Sequence, residues 1–241
     1  MASNNRTGPF DGNIAHSFLW PIKWLLGALA IYVFLGLLSI VVVLFWSNFF
    51  WQNPVDASDI LFKTEAARVL SMENLHFGDF LTTLVEFTMR WTYWLFFKLT
   101  TIHDTTYAYL AGYQVNDVDF LFFKTFISKN VHSIYVAMNM NRVYGIRIGY
   151  FLSSLPLFWL VYVVALADGL TERYIRRACA GRESADMNKL GKLSKLMFFA
   201  TGVTIYLCLP VPINPFWLIA PLTGIYVVGT RIQWQFYKKY L

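Results

Sequence analysis

The stretch from Asp168 to Lys195, DGLTERYIRRACAGRESADMNKLGKLSK, constrains this chain more than any other. Apolar runs close it on both sides, Ile148 to Ala167 upstream and Leu196 to Leu209 downstream. Between them stand Arg173, Arg176, Arg177, Arg182, Lys189, Lys192 and Lys195, against Asp168, Glu172, Glu183 and Asp186. A short basic connection between two apolar segments stays on the cytoplasmic side of a membrane, because clustered Lys and Arg are poorly translocated. That assignment fixes the side of every other segment.

Composition agrees with a membrane setting. Of 241 residues, 57% are hydrophobic and 14% charged, against about 25% charged in soluble domains. Several apolar runs reach about 20 residues, the length that spans a bilayer as a helix. The net charge of +6 is unevenly spread: residues 47–142 hold seven Lys/Arg and nine Asp/Glu, whereas residues 168–195 hold seven and four. Positive-inside topology accounts for this without a nucleic-acid ligand. The expected fold is therefore all-α, a polytopic helical membrane protein with four transmembrane helices, and six as the alternative.

Along the chain, residues 1–17 read as a polar cytoplasmic tail and 18–46 as the first transmembrane helix. Pro21 suits its start, Lys23 can snorkel to the surface, Trp20 and Trp24 mark one interface, and Trp46 and Trp51 mark the other. This run is too long for a signal core and lacks a cleavage site, so it is expected to remain as an anchor. Residues 47–143 form a periplasmic or interfacial helical region. In it, Asp56 to Asn74 has helical spacing, with Ile60, Leu61, Ala67 and Leu70 on one side and Lys63, Glu65 and Arg68 elsewhere. Phe77 to Tyr109 is rich in aromatic residues yet carries charges. Glu86 and Arg90, four apart, share one helical face as an interfacial or intramembrane pair. Residues 144–167 are the next span, with Arg147 expected to snorkel at its outer edge, Pro156 to kink it and Gly149/Ser153 to permit close packing. Residues 168–195 are the basic cytoplasmic hinge and 196–232 a C-terminal hairpin, spanning or re-entrant. Asn214 should cap its second helix, with Pro215 at the first helical position. Residues 233–241 return to the cytoplasm.

Chemistry-bearing residues are sparse. Cys179 lies near Arg176 and Arg177, which favours a thiolate, but no base partners it. Cys179 and Cys208 are not expected to form a disulfide. His103-Asp104 reads as a loop or cap feature, since adjacent residues leave a helix in different directions. His16, His76, His103 and His132 show no metal-ligand spacing, and no Gly-rich phosphate loop is present. No catalytic, metal or cofactor site is expected. The hinge is different: Arg173, Arg176 and Arg177 share a helical stripe just outside the bilayer. With Gly181, Arg182, Glu183 and Ser184, they form the expected contact surface for anionic lipid head groups or a protein partner.

Several of these residues carry a resemblance. Asp168-Gly169-Leu170, Arg173, Ile175-Arg176-Arg177 and Gly181-Arg182-Glu183-Ser184 resemble the signature of a bacterial family described as integrating conjugative element membrane proteins, whose domain has no known function. Phe18-Leu19-Trp20-Pro21, Leu209-Pro210-Val211 and Lys238-Lys239-Tyr240-Leu241 extend it. Ala178-Cys179-Ala180 departs from the Gly-rich or Trp-containing approach to Gly181 that such proteins carry. The resemblance implies a non-enzymatic accessory or scaffold of conjugative DNA transfer by a type IV secretion-like machine in the bacterial inner membrane. The partners it implies are other conjugative-transfer membrane proteins, the coupling ATPase being one candidate, with no direct nucleic-acid binding. The rival reading from the residues is a transporter or channel subunit with Glu86 and Arg90 lining a path. A membrane enzyme would need a polar cluster at one interface that the sequence does not assemble.

Overall fold

The computed structural model describes residues 13–71, 78–111, 126–179 and 185–237, with the side chains of residues 13–22, 24 and 185 not included. Residues 1–12, the side chains of Trp20, Trp24 and His16, and His76, Gly181-Arg182-Glu183-Ser184 and Lys238 to Leu241 lie outside what is described, whereas the expected tail end and helix start are corrected: the first helix already runs from Asn13, so Pro21 lies inside it. Within them the fold is all-α. The main helices are α1 (Asn13–Phe50), α2 (Pro54–Ser71), α3 (Gly78–Tyr93), α4 (Ile102–Leu110), α5 (Val131–Ala178), α6 (Ala185–Cys208) and α7 (Pro215–Gln235). A wide π-helical turn, Trp94–Lys98, prolongs α3.

Everything is organised around α5. Its 48 residues run about 72 Å at the α-helical rise, and there is no break at residue 143 or at Asp168. One helix thus carries both the second half of the aromatic, partly charged region and the next apolar run. It passes through Pro156 and continues into the basic stretch. The sequence 168–195 is therefore no loop: its two ends are the last turns of α5 and the first turns of α6.

The contacts give each helix a direction. On α1, Tyr32 meets Tyr144 while Val43 joins Val136, so α1 is antiparallel to α5. On α2, Ser58 reaches Asn139 and Glu65 reaches Arg147, so α2 is parallel. The α3 helix is antiparallel: Val85 lies against Gly149, Met89 against Gly145, and Phe97 packs with Ala137 and Met138. These three helices enclose the N-terminal half of α5. The C-terminal half is flanked by α6, antiparallel through Phe199 and Tyr206, and by α7, parallel through Tyr226 and Arg231.

Three helices are long and apolar enough to cross a membrane by length and composition: Leu25–Phe50 within α1, Val131–Ala178 and Pro215–Gln235. The basic first half of α6, with Lys189, Lys192 and Lys195, leaves that helix outside the set, although it was expected to supply a span. The last connection follows its residues closely. Pro210 and Pro212 lack amide protons to continue α6. The Asn214 side chain then accepts a hydrogen bond from Phe216 N at 3.0 Å, capping α7 with Pro215 in its first turn.

The buried stripe of α2 is Ser58, Leu61, Glu65 and Val69. Ile60 and Leu70, placed with Leu61 on one side in the sequence reading, are 64% and 63% exposed. The helix is rotated so that its charged Glu65 faces inward.

Candidate functional site

The interior of the bundle holds an ion pair. Arg147 projects from α5 and Glu65 from α2, and neither side chain is exposed. Arg147 Nη2 donates to Glu65 Oε1 at 3.0 Å. The same guanidinium donates from Nη1 to the Tyr206 and Leu209 carbonyls at 2.7 and 2.6 Å, and from Nη2 to the Val211 carbonyl. Arg68, one turn beyond Glu65, donates from Nη1 to Glu65 Oε2 at 2.7 Å and to the Ile213 carbonyl at 2.9 Å.

The carbonyls explain the arrangement. A helix leaves its last four carbonyls without intrahelical donors. At the end of α6 the following residues include Pro210 and Pro212, which cannot supply amide protons. Arg147 supplies the missing donors, and its charge also complements the negative end of the α6 dipole. Arg68 does the same one step further along the connection, and Glu65 holds both guanidiniums in place. The expectation that Arg147 snorkels to the surface is thus corrected: its neighbours offer it one carboxylate and three carbonyls, which replace the water it gives up.

Around this clamp lies a polar seam. The Asn139 side chain donates to Asp59 Oδ1 at 2.6 Å and Ser58 Oγ at 3.1 Å, and the Tyr135 hydroxyl donates to the same Asp59 oxygen. Asn141 donates to the Thr92 carbonyl at 3.3 Å, and the Tyr144 hydroxyl to the Tyr32 carbonyl at 2.7 Å. The hydroxyls of Tyr150 and Tyr206 and the Nε of Arg147 are buried without hydrogen-bond partners.

The residues singled out from sequence lie elsewhere. Glu86 and Arg90 do pair, at 3.2 Å, with side chains 56% and 77% exposed on the outer side of α3. Arg173 and Arg176 sit in the last turns of α5, where Arg173 lies 5.3 Å over the Tyr237 ring and Arg176 4.2 Å over Phe236. Two of the three stripe arginines therefore hold the end of α7. Arg231 completes this end of the bundle by bonding Asp168 at 2.8 Å and Glu172 at 3.3 Å. Lys195 donates to Gln233 at 2.6 Å. His103 and Asp104 occupy the first turn of α4, 3.8 Å apart, with His103 Nδ1 bonded to the Tyr93 hydroxyl. Cys179 is an exposed free thiol and Cys208 a buried one. No group of three or more His, Cys, Asp or Glu among the described residues could hold a metal ion.

Glu65 was read only as part of the polar side of α2. A signal was present: it lies four residues from both Leu61 and Val69, on the apolar stripe, where a carboxylate requires a partner.

The fold and its clamp define a class, an all-α protein with membrane-length apolar helices packed along one central helix. Within that class the chain belongs to the DtrJ-like family, described as IncC plasmid conjugative DNA transfer protein DtrJ-like, whose model matches residues 74–232. Its role is in conjugative DNA transfer. The matched stretch runs through α3 to α7, includes Arg147 and the basic end, and leaves α1 and α2 outside it. No curated protein and no solved structure matches the chain.

Proposed function

We propose that this protein is a non-enzymatic scaffold of the conjugative apparatus, embedded in the bacterial inner membrane with its basic end in the cytoplasm and serving a type IV secretion-like machine. The family supplies the process. The observation that carries the membrane role is the outward apolar surface: Leu25, Phe34, Trp159, Leu160, Val164 and Trp217 are each at least 61% exposed on the three membrane-length helices. Such a surface is stable facing lipid and unfavourable facing water. The buried charges support a structural use, since Arg147 and Glu65 are committed to holding the α6–α7 connection. On this reading the four spans are α1, the apolar part of α5, and the α6–α7 hairpin. Anionic lipid and other transfer proteins, the coupling ATPase among the candidates, meet the basic end.

The test is an in-frame deletion in a conjugative donor, complemented in trans with a tagged copy. Transfer frequency should fall and be restored by the copy. The tagged protein should remain in the inner-membrane fraction after an alkaline wash and bring other transfer proteins with it on purification. Recovery in the soluble fraction, or unchanged transfer by the deletion strain, would refute the proposal.

A further inference from the structure

At the far end of α3, away from the basic end of the molecule, a cleft of about 520 Å³ is walled by Phe87, Trp91 and Trp94 and edged by Arg90, Lys98 and His103. The three rings form a ladder: Phe87 stacks on Trp91 with centroids 6.4 Å apart, and Trp91 on Trp94 at 5.4 Å. All three are substantially exposed. On a regular helix eight residues would leave Arg90 and Lys98 about 80° apart at 3.6 residues per turn. The π-helical turn, closed by the bond from Leu99 N to the Trp94 carbonyl at 2.8 Å, absorbs one residue. Arg90 and Lys98 then sit as if seven apart, about two turns along one face.

The backbone reverses just beyond this turn. Thr101 has φ 59°, the left-handed region, and is the single described non-glycine residue there. A β-branched residue in that conformation is costly and marks a position fixed by its surroundings. The reversal folds α4 back, so that His103 meets Tyr93 edge-on at 5.4 Å and closes the cleft. Arg142 lies 4.4 Å over the Tyr93 ring. Facing the cleft, Arg90 is matched by Glu86 and His103 by Asp104, whereas Lys98 makes no ion pair with any described acid. One face of the site is thus apolar and aromatic, and on its rim Arg90 is shared with Glu86 while Lys98 has no acidic partner among the described residues.

We propose that this cleft binds a membrane phospholipid, its phosphate held by Arg90 and Lys98 and its acyl chain laid along Phe87, Trp91 and Trp94. Tryptophan is enriched at the level of lipid head groups. Trp46 and Trp51 stand at the C-terminal end of α1, which packs beside the same N-terminal half of α5. The requirement for an anion with an apolar tail follows from Lys98, which no described acid neutralises, and from the ring ladder beside it. The proposal rests on the membrane reading above.

The experiment uses the full chain purified in detergent and presented with phosphatidylglycerol, with a diacylglycerol of the same chains, or with inorganic phosphate. Quenching of tryptophan fluorescence by brominated forms of the two lipids reports binding at the ring ladder. Phosphatidylglycerol should quench and the diacylglycerol should quench far less. Lys98→Gln and Arg90→Gln should each weaken phosphatidylglycerol binding about tenfold, the effect of losing one charge-assisted hydrogen bond. Lys63→Gln, an exposed charge removed elsewhere, should have no effect. Equal quenching by both lipids, or no change in the Lys98 and Arg90 variants, would overturn the proposal. Competition by inorganic phosphate at the same concentration would assign the site to a soluble anion and also overturn it. A protein that leaves the membrane on alkaline wash fails the earlier reading. One that stays and binds lipid without using Lys98 fails only this one.

Discussion

Arg147 and Glu65 stand 82 residues apart in the chain and 3.0 Å apart in the bundle, and neither touches solvent. The pair joins the longest helix to a short one outside the matched family region, and through Arg147 it reaches the end of a third.

Breaking that pair should be severe and asymmetric. Removing one partner of a buried ion pair costs about 3–5 kcal/mol. Arg147→Leu also removes the side-chain donor from three carbonyls, of which Leu209 keeps the Val211 amide, whereas Glu65→Gln keeps an acceptor for both arginines. Thermal unfolding in detergent should therefore rank wild type above Glu65→Gln, and Glu65→Gln above Arg147→Leu. Arg147→Lys should fall near Arg147→Leu, because an ammonium cannot reach acceptors spread over a fork. An Arg147→Leu protein that unfolds like wild type would contradict the clamp.

The α3–α5 contact depends on two glycines. A Cβ at Gly145 would stand 2.6 Å from Met89 Cα, and one at Gly149 would stand 2.6 Å from Val85 Cα, whereas one at Gly27 meets nothing within 4 Å. Alanine normally stabilises a helix by about 0.5–1 kcal/mol relative to glycine. Here the sign should reverse: Gly145→Ala and Gly149→Ala should destabilise by about 1–3 kcal/mol through overpacking, while Gly27→Ala should be neutral or favourable. A common direction for all three in a melting experiment would show that α3 can move away at little cost.

Glu86 and Arg90 should prove weakly coupled. Their side chains are more than half exposed, and exposed pairs contribute about 0–1 kcal/mol. Glu86→Gln, Arg90→Gln and the double variant should reach membrane levels close to wild type, with additive small effects. A large loss in each single variant that the double variant repairs would place the pair in a low-dielectric setting.

The arginine contacts at the basic end make a separate claim. Lysine at 173 and 176 keeps the charge and the topology signal but loses planar stacking on Tyr237 and Phe236. Limited proteolysis should cut the segment after α7 faster in the double Arg→Lys variant, and Phe236→Ala/Tyr237→Ala should reproduce this. Transfer frequency should fall in both. Unchanged proteolysis with reduced transfer would indicate that these arginines contact a partner directly.

Topology is tested by reporter fusions. Insertions at Asp186 and after Leu241 should report cytoplasm, and one at Gln52, beyond the far end of α1, should report periplasm. A periplasmic signal at Asp186 would reverse the whole arrangement.

The helical class was legible because apolar run length and sparse charge are local properties. The α7 start was legible for the same reason, since Asn214-Pro215 states both cap and first turn. The Glu86–Arg90 contact followed from spacing alone. What failed was anything decided across the chain. Arg147 beside an apolar run looks like a boundary until Glu65 and the α6 carbonyls are brought to it. Likewise Arg173 and Arg176 form a free stripe on a helical wheel, and only folding brings Phe236 and Tyr237 over them. The outward apolar residues of α2, such as Ile60 and Leu70, misled because an apolar side chain reads the same on an exposed face as on a buried one.

The unbroken course of α5 has a mechanical consequence. A helix of about 72 Å bends gently except where a defect is built into it, and this one carries Pro156 midway, between a half fastened by α2 and α3 and an end fastened by Arg231. Between the half that carries Arg142 and the half that carries Arg173, Pro156 is the place where the helix is free to flex. The molecule therefore has the build of a jointed arm, in which a grip on one half reaches the other only through that joint.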